Sequence, residues 1–138
     1  MLVEKFVTTH IIKETYLDTF GHMNNARYLS LFEEARWEFI TQNGFGIKTM
    51  LELGLGPTIL EINLKFLKEL RVRDEVEIET QVISYTGKIG KLQQKMLINN
   101  EVYCLAEFTI GLFDLNTRKL ILPTKEWLTA VGIMDQTE

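Results

Sequence analysis

Between residues 24 and 43 the apolar positions recur at alternating steps of four and three: Tyr28, Phe32, Ala35 and Phe39, flanked by Leu29, Leu31 and Ile40. That spacing belongs to the buried stripe of an α-helix. Asn24 or Asn25 can cap its first turn through the side chain, and Gly44 can take the left-handed conformation that ends a helix. About 19 residues at 1.5 Å each make a rod of roughly 28 Å, as wide as a small domain. So long a stripe needs a large surface to cover it. The rest of the chain supplies strands. Residues 6–16 mix β-branched and aromatic side chains and predict a first strand. A short second helix is expected at 47–53, before Gly54, Gly56 and Pro57 break the pattern.

After that break the period becomes two. Leu60, Ile62, Leu64 and Phe66 alternate with Glu61, Asn63 and Lys65, and Val76, Ile78, Thr80 and Val82 alternate with Glu75, Glu77, Glu79 and Gln81. Two more strands are predicted at 91–98 and 102–113, joined by a tight turn at Asn99-Asn100-Glu101. Gly87-Lys88-Ile89-Gly90-Lys91 lacks the spacing of a phosphate-binding P-loop and reads as a hairpin connection. Residues 123–134 are expected to form a surface turn or short helix. A strand, one long helix and then consecutive strands predict a single α+β domain over 1–138, with the helix packed on an antiparallel sheet.

Composition narrows the function classes. A chain of 138 residues that is 46% hydrophobic can build a core without disulfides or metal. A net charge of −4 argues against bulk attraction to nucleic acid or an anionic membrane, so any anion site must be local. No apolar run approaches the roughly 18 residues of a transmembrane helix, and no secretory leader is recognisable. The expected setting is cytoplasmic, which also suits a single cysteine. Cys104 shares a strand face with Ala106, Phe108 and Ile110 and reads as a small buried hydrophobe. His10, His22 and Cys104 have no metal-ligand spacing, so no metal and no cofactor is expected.

The chemistry concentrates at the start of the long helix, where Asp18, Gly21 and the caps Asn24 and Asn25 lie within a few residues. The first N–H groups of a helix lack internal acceptors and sit at the positive end of its dipole, so they can receive an oxygen that gains negative charge. A carboxylate beside them can deprotonate water or attack directly, and Gly21 lets the backbone approach closely. Each residue also has a plainer reading. Asp18 in such a loop is often only a turn residue, His22 is more readily a loop histidine that fixes the turn than a proton shuttle, and Tyr28, Phe32, Trp37 and Phe39 are expected to be mostly core.

The run Asp18-x-x-Gly21-His22-Met23-Asn24-Asn25-x-x-Tyr28-Leu29, followed by Glu33, Glu34 and an aromatic helix face, resembles the hotdog-fold acyl-CoA thioesterases of the 4-hydroxybenzoyl-CoA thioesterase type. The resemblance implies a hotdog fold, in which a long antiparallel β-sheet wraps a central α-helix, over roughly residues 5–125. It implies hydrolysis of acyl-CoA to a carboxylic acid and free coenzyme A. It places the catalytic carboxylate at Asp18 and the N–H that polarises the thioester carbonyl at Asn25, and it puts Gly21, His22, Asn24 and Tyr28 against the substrate. It further implies a homodimer or homotetramer with active sites near the subunit interface. Lys88 and Lys91 are the expected contacts for the nucleotide end, with Lys65, Lys68, Arg71 and Arg73 as a second set. Some proteins of this architecture carry their acid on the helix, where Glu33 and Glu34 stand; with Asp18 present, the loop acid is preferred. The rivals are an acyl-carrier-protein thioesterase or hydratase on the same fold, the latter suggested by His22, and a non-catalytic acyl-CoA-binding protein.

Overall fold

The structure is a computed structural model and describes residues 1–135, so the last three positions of the expected domain lie outside the described residues. The long helix, α1, spans Asn25–Gln42. Asn24 caps it by accepting the Ala26 N–H at 2.9 Å, the side-chain interaction that typically contributes about 1 kcal/mol at such a position. At the other end Gly44, at φ 91°, turns the chain so that the Phe45 N–H reaches the Ile40 carbonyl. A second helix, α2, covers Ile47–Leu53.

Six strands follow the expected antiparallel plan: β1 Phe6–Ile11, β2 Leu55–Phe66, β3 Glu75–Thr86, β4 Ile89–Ile98, β5 Glu101–Asp114 and β6 Lys119–Ile121. They pair in the order β1-β3-β4-β5-β2, with β6 added to the far end of β5. The period-two pattern fills one face with Val76, Ile78 and Val82 of β3, Leu92 and Met96 of β4, and Cys104, Ala106, Phe108 and Ile110 of β5, all buried. Against them lie Tyr28, Leu31, Phe32, Ala35 and Ile40 of α1. Phe32 is fully buried and meets Phe108 edge-on at 6.1 Å, and burying a side chain of this kind stabilises the fold by about 1.5–3 kcal/mol. This is the hotdog arrangement, a sheet wrapped on one central helix.

Four expectations need correction. The first strand stops at Ile11; from there Ile12 bonds to Asp74 and Arg73, and Glu14–Tyr16 form a single 3-10 turn. Strand β2 begins at Leu55 and runs through Pro57. Proline is confined in sheets to such places as edge strands, and β2 is one. The segment near the C-terminus contains the short helix α3, Lys125–Ala130, but is not confined to the surface: Trp127 is buried against Phe45 and donates its indole N–H to the Tyr85 hydroxyl at 2.9 Å. Trp37, finally, lies outside the core, 36% exposed, with its indole N–H on Glu33.

Candidate active site

The loop before α1 is built around one carboxylate. Leu17 and Met23 form an isolated antiparallel bridge, and inside it the Asp18 N–H donates to the His22 carbonyl at 2.7 Å. Gly21, at φ 82°, makes the reversal and donates to the Asp18 carbonyl at 3.1 Å. The side-chain oxygen Oδ1 of Asp18 accepts from the N–H groups of Phe20 and His22, at 2.9 and 3.1 Å. This is the turn-forming role expected of a loop aspartate, and it leaves Oδ2 without a protein partner among the described residues. Two donors on one oxygen fix the direction in which the other points.

The chain then enters α1 by way of Asn24, whose N–H donates to the Tyr16 carbonyl at 2.8 Å. Asn24 satisfies the Ala26 and Arg27 N–H groups through its side chain and its carbonyl. The Asn25 N–H, first in the helix, has no acceptor among the described residues. It stands at the helix end that carries about half a positive elementary charge.

Asp18, His22, Asn25 and Tyr28 line one open hollow of about 260 Å³ together with Phe66 and Glu69. Gly21 and Asn24, expected against the substrate, do not line it; Gly21 makes the turn and Asn24 the cap beside it. Tyr28 is buried, its ring edge-on to Phe66 at 4.8 Å. Burial is the main reason its phenol is held above the usual tyrosine range, so it remains a hydroxyl donor. The His22 Nε2 lies 3.4 Å from Glu69 Oε1. The His22 backbone closes the loop, the turn-fixing role expected of a loop histidine, and the residue also lines the hollow.

Phe66, Leu67, Lys68 and Glu69 also line this hollow, and the sequence reading did not include Phe66, Leu67 or Glu69 among the site residues. Phe66 ends β2 and the others follow it directly, and the pairing of β2 with β5 brings that end to the start of α1. Lys68 and Arg71 border an adjoining hollow. Lys88 and Lys91 do not line either one. Lys88 lies in the β3–β4 turn, and Lys91 points to the outer face of the sheet, where it donates to Thr109 Oγ1 at 2.7 Å and meets Glu107 and Glu61 at 3.8 and 4.0 Å. Glu33 and Glu34 sit exposed on α1, past its first turn. No group of three or more His, Cys, Asp or Glu side chains suited to a metal ion occurs among the described residues, and no helix among them is long and apolar enough to cross a membrane.

A second cavity, of about 160 Å³, lies farther along α1, between its middle, the first half of β2 and α3. Its walls are apolar except for Glu33 and Arg36. Burial pushes the Arg36 guanidinium down to about 10, partly offset by the charge of Glu33, so it stays cationic near neutral pH.

Comparison with known proteins is consistent across sequence and structure. The family model described as the thioesterase-like superfamily matches residues 13–131. The long-chain acyl-CoA thioesterase FadM of Escherichia coli strain K12 is 30% identical over 112 residues, covering 80% of this chain and 84% of that protein. The crystal structure of YbaW, a probable thioesterase from Escherichia coli, superposes with a TM-score of 0.82 at 27% identity, covering 94% of this chain and 98% of that one. SAV2348, a hypothetical protein from Staphylococcus aureus solved in complex with CoA, superposes with a TM-score of 0.86 at 20% identity, covering 95% and 84%.

Proposed function

The chain belongs to the thioesterase-like superfamily, and from that premise we propose that it is an acyl-CoA thioesterase of the loop-acid type, with its chemistry at Asp18 and Asn25. The observation that carries this reading is the pairing in one hollow of a carboxylate oxygen and a helix-leading N–H, neither of which has a hydrogen-bond partner among the described residues. The thioester carbonyl oxygen takes the Asn25 N–H, which is already aimed and costs little reorganisation as charge develops. Asp18 Oδ2 takes a proton from water as the water oxygen bonds to the carbonyl carbon, or bonds to that carbon itself before water releases the acid. In either route the carbon–sulfur bond breaks, and coenzyme A leaves as a thiolate that gains a proton. The acyl chain follows the apolar side of β2 from Phe66 toward Ile59. Release of free thiol from short, long and aromatic acyl-CoAs, compared with acyl-carrier-protein thioesters, tests the reading. Binding without thiol release from any of them would make the protein a sensor instead.

We propose further that the active form is a homodimer or a multiple of it. Ile59, Ile62 and Phe66 on the helix-facing side of β2 are 38%, 45% and 50% exposed, and among the described residues no strand follows at that edge. Asp18 is exposed too, and a second copy laid along β2 would cover both. Light scattering should give a dimer or tetramer, and Ile62→Lys should lower both the assembled fraction and the turnover. A wild-type monomer with full activity at assay concentration would rule out an interface-built site.

For the nucleotide end, the cations beside the hollow are better placed than those on the outer sheet face. Replacing Lys68 and Arg71 together with Ala should raise the KM for a full acyl-CoA severalfold and leave the KM for an acyl-pantetheine unchanged. The effect should shrink with added salt, since exposed charges are screened over about 8 Å at physiological ionic strength. The same pattern from Lys88→Ala with Lys91→Ala, and not from the first pair, would return the role to those lysines.

A further inference from the structure

Arg36 stands in an environment unusual for its charge. The cavity beside it is walled by Trp37, Ile40, Ile59, Leu92, Ile110 and Trp127, with Glu33 the other charged residue along it. Its guanidinium lies over the Phe108 ring, 4.3 Å from the centroid, and donates through Nη1 to Gln94 Oε1 at 2.9 Å. No carboxylate forms an ion pair with it among the described residues. Glu33, one turn earlier on the same helix, instead accepts the Trp37 indole N–H. A guanidinium has five N–H donors, and those of Arg36 not on Gln94 have no protein acceptor among the described residues.

The group is also held in place. Gln94 is fully buried, and its amide nitrogen donates to the Phe32 carbonyl and to Thr80 Oγ1, both at 3.0 Å. Those bonds oblige its oxygen to face Arg36. The sheet thus fixes the guanidinium from beneath, and Arg36 forms part of the cavity wall. From Asn25 to Arg36 the helix axis advances about 16 Å at 1.5 Å per residue. The register of β2 against β5 lays Phe66, Leu64, Ile62 and Ile59 along the helix-facing side between the two places. An apolar track therefore leads from the carbonyl site to a fixed cation.

Resting on the thioesterase reading, we propose that Arg36 is a specificity residue, selecting acyl chains that carry an oxygen acceptor, hydroxyl or carboxylate, at the end remote from the thioester. In a cavity of low polarity, a hydrogen bond from a charged donor is stronger than the one given up to water, and a plain methyl end leaves the donors unmet.

The test uses CoA thioesters of matched length that end in methyl, hydroxyl or carboxylate, taken over a range of lengths. A hydrogen bond to a charged group predicts a preference of about tenfold or more in kcat/KM for an oxygenated end, greatest where the end reaches Arg36. Preference for the carboxylate over the hydroxyl would identify an anionic end, and the reverse a neutral one. In Arg36→Met the ratio between oxygenated and methyl-ended chains should fall toward one, and in Arg36→Lys it should be intermediate. Equal kcat/KM for methyl and oxygenated chains in the wild type at every length overturns the proposal, whatever the variants do. Should the wild type hydrolyse none of them, the thioesterase reading fails separately. Calorimetric binding of the corresponding thioethers, which cannot be cleaved, then decides the role of Arg36 by the same ratio.

Discussion

Asp18→Asn should lower turnover on any accepted acyl-CoA by at least about 100-fold, the lower end of what a positioned acid or base contributes. Asparagine keeps the side-chain oxygen that accepts the Phe20 and His22 N–H groups, so the loop should hold its shape and the melting temperature should move little. What it loses is the second oxygen, the one with no protein partner among the described residues. Steady-state thiol release, measured alongside a thermal melt, separates chemistry from folding. Asp18→Ala is the useful contrast, because it also removes the turn and should cost stability as well as rate. Near-normal turnover in Asp18→Asn would take the residue out of the chemistry and direct attention to Glu69, the other carboxylate of the hollow.

Asn25→Pro should be nearly as damaging to turnover, for the opposite reason. Proline has no N–H, yet it is well suited to the first position of a helix, where that N–H makes no helical bond. The preceding residue must be extended, and Asn24 already is, at φ −61° and ψ 136°. The Asn25 side chain makes no hydrogen bond among the described residues, so little else changes. Removing one donor to a developing oxyanion typically costs about 10² to 10³ in kcat. Asn25→Pro is therefore expected to melt near wild type while losing that much turnover, and Asn25→Ala, which keeps the N–H, should stay close to wild type. If both variants keep normal turnover, the carbonyl is polarised elsewhere.

Much of this arrangement was legible before the structure, and the reason differs by element. Helix α1 announced itself because its stripe is long and its ends are marked by Asn24 and Gly44, and α2 appears at the expected 47–53. The turn at Asn99-Asn100 was readable because both residues take positive φ, at 50° and 64°, a conformation asparagine tolerates. Strand lengths were less visible. The alternation in β3 stops at Val82 because the pairing with β4 shifts between Val82 and Ser84, which breaks the period of two although the strand continues to Thr86. Trp127 was misjudged because six residues of helix are too short to show a buried face by periodicity.

At the site, the local half was readable and the distant half was not. Asp18, Gly21, Asn24 and Asn25 lie close in sequence, and their geometry follows from capping and turn chemistry. Glu69 and Phe66 reach the same hollow only through sheet pairing. Arg36 carried no signal at all as a charged residue on a helix. Its interest comes from Gln94 and Phe108, supplied by neighbouring strands.

The burial of Cys104 bears on how any of this would be measured. It is the chain's only sulfhydryl, fully enclosed in β5, and burial pushes its thiol up to about 12. Near neutral pH it is neither ionised nor reachable, and thiol reagents act on accessible thiolate. A chromogenic disulfide added to an assay would thus count coenzyme A alone while the sheet stays closed. In the absence of substrate, slow colour from the protein itself would time how often the sheet opens around Cys104, which makes the residue a native clock for local unfolding.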